Sequence, residues 1–225
     1  QEVPLLFQLL YAHLIDPGFR EDAYTLAMER FSQEYAELSG SVDGAMVLSG
    51  NHFLAGGDSR FGLPTFEKFK QLTLEHIRSW IQSSLKTRTM ELSVVGDFDM
   101  DSVIKLAAKY LGTLSLNTQL YESSDSRFPE FPAGQFCKIS VMTEIPKGMV
   151  IVAYPTQGLW NIGQTRRLSV LADIVSDRLR DEIREKLGAA YSTYAFNRPS
   201  RAYPKYGVFQ AGASINPEEA NMIVN

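Results

Sequence analysis

Apolar residues recur three and four positions apart through most of the first half of the chain, the spacing of an amphipathic helix. This spacing predicts helices at residues 5–14, 22–38, 64–71, 74–84 and 100–111. Asp99 stands just before the last of them, where its carboxylate can accept a backbone N–H as an N-cap. Residues 39–62 are rich in glycine and serine and predict no particular element. The first half is therefore predicted to be mainly helical.

Strand patterns begin at residues 91–95 and dominate the second half of the chain. Alternating or β-branched runs predict strands at residues 91–95, 137–143, 149–154, 191–196 and 206–213. Between the third and fourth of these runs, a continuous apolar stripe predicts one long helix over 163–187, which Gly188 ends. A further helix is predicted to begin after Asn216 as N-cap, with Pro217 at its first position.

The stretch from Asn117 to Gln135 is polar, contains two prolines and is typical of a linker. We place the domain boundary there, with domain portions at 1–122 and 136–225 and a linker at 123–135. The predicted class is α+β, in which each portion has a mostly antiparallel sheet covered by helices. Because the chain opens without Met and closes inside a predicted helix, we expect a fragment of a longer protein.

Composition narrows the class of protein and of partner. The chain has 225 residues, 44% hydrophobic and 21% charged, which excludes extended disorder. Its formal charge is −4 without a basic stripe, so we expect no nucleic-acid partner. Charge or glycine interrupts every apolar run, so no membrane span is expected. We interpret a basic and aromatic cluster from Arg198 to Tyr206 as solvated loop surface.

Histidine and cysteine positions give no metal or nucleophile motif. His13, His52 and His76 lack zinc-ligand spacing, and Leu72 stands where the first His of an HxxEH motif ending in His76 would be. Cys137 falls in a predicted strand, and no GxSxG turn is present. The sequence therefore predicts no metal ligands within this chain and gives no support for serine or cysteine hydrolysis.

The remaining candidates are Arg184 and Tyr191, seven residues apart on either side of Leu187-Gly188. A guanidinium is always charged and a phenol can donate a hydrogen bond, so the pair can bind a peptide carbonyl and stabilise an oxyanion. A structural role fits the same residues, with Arg184 satisfying carbonyls at the helix end and Tyr191 packing as a strand aromatic. Spacing alone favours the structural role.

This run resembles the C-terminal half of the pitrilysin/insulinase-type zinc metallopeptidases, the inverzincins. In that family an Arg and a Tyr seven residues apart flank a helix-ending Leu-Gly, which Arg184, Leu187-Gly188 and Tyr191 match. Val94–Asp99 is similar to the family's recurring VVGD element near the end of a domain. The resemblance covers nearly the whole chain. Within the family, the chain looks most similar to the bacterial periplasmic PqqL-type zinc proteases.

The resemblance implies a fold, an activity and partners. It implies that 1–122 is the latter part of one pitrilysin-like domain and 136–225 the first part of the next. The chain would belong to a zinc-dependent endopeptidase, with Arg184 and Tyr191 as the catalytic residues that bind substrate and stabilise the transition state. Zinc would be held by an HxxEH motif in the N-terminal half of the same protein, outside this chain.

The same resemblance implies that this chain alone is inactive and that its substrate is a peptide or small protein. It implies the periplasm as compartment, with the cytoplasm as the alternative. Two other readings stay open: a non-catalytic homologue that serves as a structural subunit, and a segment that binds a protein or peptide without turnover.

Overall fold

The computed structural model describes residues 2–87, 90–114, 128–144, 146–186 and 190–219. Its α-helices and strands, in chain order, are α1 (Glu2–Ile15), α2 (Glu21–Ser39), α3 (Val42–Ala45), α4 (Asn51–Leu54), α5 (Phe66–Phe69), α6 (Leu74–Thr87), α7 (Met100–Tyr110), β1 (Gly148–Thr156), α8 (Ile162–Leu179), β2 (Ala190–Pro199) and β3 (Gly207–Ile215). A π-helix, Met46–Gly50, joins α3 to α4, and a second π-helix, Arg180–Lys186, continues α8. A 3₁₀ turn, Pro217–Glu219, follows β3.

The chain forms two compact units. The first comprises Gln1–Phe31 and Glu67–Ser126, and the second comprises Ser32–Phe66 and Arg127–Asn225. Residues 39–62, for which the sequence predicts no particular element, therefore group with the second half of the chain. The predicted portions, 1–122 and 136–225 with a linker at 123–135, stay a prediction, because residues 115–127 lie outside the described residues.

The first unit is held by contacts between helices. Phe7 of α1 and Val103 of α7 are buried, and the rings of Tyr11 and Tyr110 lie 5.9 Å apart. Farther along the unit, Phe31 and Phe69 meet edge to face at 5.0 Å. These are the contacts that amphipathic stripes make when they pack together.

No helix in the described part of the chain is long and apolar enough to cross a membrane.

Helix α7 begins as the sequence predicts. The carboxylate of Asp99 accepts the backbone N–H of Ser102 at 2.8 Å, and hydrogen bonds from Ser102 hold the pKa of this carboxyl below its usual value. The N-terminal N–H groups of a helix lack partners within the helix, so a carboxylate at this position stabilises its first turn.

Two predicted strands are wrong. Residues 91–95 and 137–143 have no strand structure, and they leave Val95 97% and Met142 94% exposed. An alternating pattern becomes a strand only where another strand accepts its backbone hydrogen bonds. Neither segment has such a neighbour among the described residues, so the local pattern alone leaves both irregular.

The second unit contains an antiparallel sheet with the order β1-β3-β2. The central strand pairs with β1 from Gly148↔Ile215 to Thr156↔Gly207, and with β2 from Ala190↔Ile215 to Pro199↔Gly207. These strands confirm the predictions at 149–154, 191–196 and 206–213 to within a few residues. Helices together with this antiparallel sheet confirm the predicted α+β class.

The two faces of the sheet are covered by different parts of the unit. Leu54 and Ala55 pack on Val208 and Tyr206, together with Phe61. The next residue along the central strand, Phe209, lies on the opposite face with Leu168 and Val175 of α8. Because β3 is covered on both sides, it is buried along almost its whole length.

A 3₁₀ turn forms where the sequence predicts that a helix begins. Asn216 Oδ1 accepts the backbone N–H of Glu218 at 3.3 Å, as expected of an N-cap. Pro217–Glu219 is a 3₁₀ turn, and the helix predicted to follow it lies outside the described residues.

We predict that Tyr206 makes the free energy of unfolding fall as pH rises into the alkaline range. The residue is 7% exposed, and burial, reinforced by the Asp58 carboxylate, raises the pKa of its phenol to about 12. Above about pH 10 the unfolded chain ionises this phenol while the folded chain does not. The free energy of unfolding should therefore fall by roughly 2 kcal/mol as pH rises through that window.

Urea unfolding at stepwise alkaline pH checks this expectation. Tyr206→Phe should remove that part of the fall, whereas Tyr154→Phe, at a tyrosine that is 60% exposed, should keep it. Equal pH dependence in the two variants would contradict the assignment.

Candidate functional site

Arg184 lies on the π-helix at the end of α8. The helix begins after Asn161, whose Oδ1 accepts the N–H of Gln164 at 3.3 Å, and is α-helical to Leu179. From Arg180 to Lys186 the turns are π-helical, a conformation that appears frequently at functional sites. The sequence predicts an unbroken helix over 163–187, because an apolar stripe does not distinguish an α-turn from a wider one.

The Arg184 side chain is exposed. Within the described ranges it has no ion pair or hydrogen bond, whereas Arg180, one turn earlier, pairs with Asp177 at 3.1 Å. An exposed guanidinium with no carboxylate beside it retains its full charge and its donors for a ligand.

Tyr191 occupies an irregular position in β2. Ala190 pairs with Ile215 and Ser192 pairs with Ser214, so the register shifts and leaves Tyr191 as the additional residue of a β-bulge. Bulges bend the strand, change the direction of a side chain and are over-represented next to active sites. The two sequence candidates therefore both lie at interruptions of regular backbone.

Ser176 of α8 hydrogen-bonds to the backbone of β2. Ser176 Oγ accepts the N–H of Ala195 at 2.7 Å and donates to the carbonyl of the same residue at 3.3 Å. Since β2 is an edge strand of the described sheet, its outward N–H and C=O groups have no strand partner there, and Ser176 satisfies one such pair. This contact fixes α8, which leads into the Arg184 turn, against the strand that carries Tyr191.

Beyond Tyr191, one face of β2 carries an aromatic row. Tyr194 and Phe196 stack with ring centroids 5.5 Å apart and planes inclined by 13°, and the Arg198 guanidinium lies 5.1 Å from the Phe196 ring. Burial raises the pKa of the Tyr194 phenol, the Asp43 carboxylate adds to this effect, and Arg198 opposes it. The row stiffens the strand by packing side chains along it.

The structure leaves part of the prediction untested. Leu187–Ala189 and the side chain of Tyr191 lie outside the described residues, so the convergence of Arg184 and Tyr191 on one carbonyl stays a prediction. The two candidates come from the family resemblance, because their spacing alone favours a structural role. The π-helix, the bulge and the Ser176 contact could not be predicted from the sequence, because nothing local distinguishes Ser176 from any other helical serine.

Each histidine has a local structural partner. His13 Nδ1 donates to the Leu9 carbonyl at 2.7 Å, and His52 Nδ1 donates to the Asp58 carbonyl at 3.1 Å. His76 Nδ1 accepts the N–H of Thr73 at 3.2 Å. Across the described ranges, no three His, Cys, Asp or Glu side chains form a group that could hold a metal ion.

Comparison with known proteins places this arrangement in a family. The family model described as "Peptidase M16 inactive domain" matches residues 71–225, more than half of the chain.

Two curated relatives illustrate the range of the similarity. The chloroplastic stromal processing peptidase of Arabidopsis thaliana is 26% identical over 158 residues, which are 68% of this chain and 12% of that protein. An uncharacterized zinc protease of Rickettsia felis is 27% identical over 174 residues, which are 74% of this chain and 40% of that protein. The chain therefore spans well under half the length of either relative.

A solved structure shows the same fold. The periplasmic protease PqqL from Escherichia coli matches 96% of this chain and 24% of its own chain, with a TM-score of 0.60 and 14% identity.

We predict that Ser176 stabilises the contact between α8 and β2. Ser176→Ala leaves the N–H and carbonyl of Ala195 without this partner and should lower the free energy of unfolding by about 1–3 kcal/mol. The matched control is Ser169→Ala on the same helix, because Ser169 Oγ donates only to the Thr165 carbonyl of its own turn. Urea unfolding of both variants should show the larger loss for Ser176→Ala, and equal losses would refute the role.

Proposed function

Since this chain belongs to the M16 peptidase family, we propose that it is the segment of a zinc-dependent endopeptidase that binds substrate and stabilises the transition state. The pitrilysin/insulinase resemblance inferred from the sequence is confirmed by the family match, and its PqqL-type form agrees with the fold of PqqL. The relative from Rickettsia felis is named a zinc protease, which associates the family with zinc.

Arg184 and Tyr191 carry the proposed chemistry. The Arg184 guanidinium orients the carbonyl of a bound peptide, and the Tyr191 hydroxyl donates a hydrogen bond to the same oxygen. When a nucleophile adds to that carbonyl, negative charge develops on the oxygen. Donors aimed at this charge stabilise the transition state more than the ground state, so they accelerate bond cleavage.

The observation that supports this proposal most directly is the coincidence of two backbone irregularities with the two candidates. A π-helix at Arg184 and a β-bulge at Tyr191 each interrupt a regular element. Such interruptions lose regular hydrogen bonding and are common where a side chain must be directed toward a site. The Arg184 guanidinium is exposed and has no ion pair or hydrogen bond among the described residues, which is consistent with the same role.

The described residues of this chain do not fit a zinc site. Its three histidines are engaged locally, and no ligand group surrounds any of them. We therefore assign zinc to an N-terminal half of the same protein and derive no step through it here. That half is the proposed intramolecular partner, and a peptide or small protein is the proposed substrate.

A second candidate function is a non-catalytic, peptide-binding or structural subunit. The matching family model is described as an inactive domain, and this description favours the non-catalytic function. The presence of an HxxEH motif in the remainder of the full-length sequence would favour the peptidase, and its absence would favour the subunit.

The compartment is a further proposal. PqqL is described as periplasmic and the Arabidopsis relative as chloroplastic, so relatives occupy different compartments. We propose the periplasm, with the cytoplasm as alternative. Cell fractionation with a tagged full-length protein decides between them.

We predict that Arg184→Ala and Tyr191→Phe, introduced separately into the full-length protein, each lower turnover by on the order of a hundredfold. Removing a donor that acts on the oxyanion lowers kcat while zinc content and melting temperature stay unchanged. Peptide cleavage, metal analysis and thermal unfolding measure the three quantities.

Matched controls are Arg178→Ala, an exposed arginine on α8, and Tyr154→Phe, a 60% exposed tyrosine on β1. Both should cleave at the normal rate. Normal activity in the Arg184 and Tyr191 variants, or activity lost only through unfolding, would show that the pair has a structural role.

We also predict that the chain, expressed alone, binds no stoichiometric zinc and hydrolyses no peptide. Tight zinc sites need three or four converging ligands, which the described residues lack. Metal analysis after dialysis against a weak chelator, together with a peptide cleavage assay, checks both statements. One equivalent of retained zinc would contradict the assignment of the metal to another part of the protein.

A further inference from the structure

The turn between β2 and β3 carries exposed positive charge. Arg198 is the penultimate residue of β2, and Arg201 and Lys205 lie in the seven residues, 200–206, that connect this strand to β3. All three side chains are exposed, and none makes an ion pair with a carboxylate in the described part of the chain. We call these three residues, together with Trp160, the basic tip.

Asp58, a carboxylate near this turn, is already occupied. Asp58 binds Arg60, whose Nε lies 2.9 Å from Asp58 Oδ1 and whose backbone N–H donates to the same oxygen at 3.0 Å. The Arg60 guanidinium in turn lies 4.9 Å from the ring centroid of Tyr203 in the turn. Asp58 therefore neutralises Arg60, and the basic tip keeps a local positive charge in a chain whose net charge is −4.

The turn is held rigidly. Ser200 N–H donates to the Tyr206 carbonyl at 3.0 Å, and Ser200 Oγ accepts the N–H of Tyr203, also at 3.0 Å. The loop before α8 packs against it, since Gly158 N–H donates to the Pro204 carbonyl and Leu159 N–H to the Ser200 carbonyl, both at 2.8 Å. A surface that is ordered before binding loses little conformational entropy on complex formation.

An exposed aromatic residue flanks the cations. Trp160 is 69% exposed, and its Nε1 donates to the Arg201 carbonyl at 3.1 Å, which fixes the indole beside the turn. Tryptophan and arginine are the residues most enriched among those that dominate binding energies at protein interfaces. Cations beside a fixed apolar ring complement a segment that alternates carboxylates with aliphatic side chains.

We propose that the basic tip is a docking surface for an extended acidic segment of a partner protein, with carboxylates on Arg198, Arg201 and Lys205 and an aliphatic side chain on Trp160. A polypeptide suits the tip better than a nucleic acid, because three cations around one turn do not form the stripe that follows a phosphate backbone. The surface lies in residues distinct from Arg184 and Tyr191, so it stands independently of the proposed peptidase role.

The test uses the full-length protein with a zinc chelator present, so that turnover does not consume the probe. The probe is a fluorescent peptide rich in glutamate and leucine, compared with a glutamine counterpart, a serine-for-leucine counterpart and a single-stranded DNA of equal charge. Fluorescence anisotropy at low and at physiological ionic strength measures the affinities.

We expect the glutamate peptide to bind more tightly than both counterparts and to weaken as salt screens the charges. Arg201→Gln with Lys205→Gln should weaken it at least about fivefold, as expected for the loss of two exposed ion pairs. The matched control, Arg167→Gln with Lys138→Gln, removes one exposed arginine and one exposed lysine elsewhere and should leave the affinity unchanged.

Three results would overturn the proposal. The first is equal affinity for the glutamate and glutamine peptides. The second is an equal loss of affinity in the two double variants. The third is an affinity for DNA that matches or exceeds that for the glutamate peptide and falls by the same factor in the Arg201→Gln, Lys205→Gln variant. Thermal unfolding verifies that the variants fold. If the double variant unfolds, the affinity of the Lys205→Gln variant is measured instead, because this exposed side chain has no partner among the described residues. Unchanged affinity would reject the proposal, and a loss of about twofold would support it.

Discussion

The second unit depends on the burial of β3 between two layers. This strand accepts β1 on one edge and β2 on the other, while α8 covers one face and the α3–α4 segment covers the other. Small residues make such close packing feasible: at Gly212 a Cβ would lie 2.7 Å from the Tyr194 ring. Because the central strand contacts every other layer of the unit, its register fixes where β2 begins and where its bulge falls.

The candidate site follows from that register. Tyr191 is additional to the ladder between Ala190 and Ser192, and Ser176 then holds the outer edge of the same strand to α8. The helix continues from this contact into the π-helix that carries Arg184. Helix α8 and strand β2 both pack on β3. The π-helix that carries Arg184 and the bulge at Tyr191 therefore lie at the two ends of the short segment that connects the helix to the strand.

Apolar surface remains exposed at several places in the described structure. A groove of about 480 Å³ lies between β1 and α8, with Val152 and Tyr154 on the strand side. Val95 and Met142 lie on segments with strand-like sequences that have no strand neighbour among the described residues. The exposure of Val95 and Met142 follows because neither segment has a strand partner in the described structure.

The sequence by itself determined the main helices and the three strands of the sheet, and it supplied Arg184 and Tyr191 as site candidates that stay a prediction. An apolar stripe is local and is present before the chain folds, so α1, α2, α6, α7 and α8 could be predicted from it. Strand pairing joins segments that are distant in sequence. For that reason the strands predicted at 91–95 and 137–143 are wrong, whereas the strand predicted at 206–213 forms.

Only the tertiary structure decided where the backbone departs from regularity. The bulge at Tyr191 lies where the pairing of β2 with β3 shifts in register between Ala190 and Ser192, and the contact of Ser176 with Ala195 exists because α8 lies across that edge. The grouping of 32–66 with the second unit has the same origin, since Leu54 and Ala55 are buried only once Val208 is beside them. Each of these features joins residues that are distant or in separate elements, and no local sequence pattern records such a pairing.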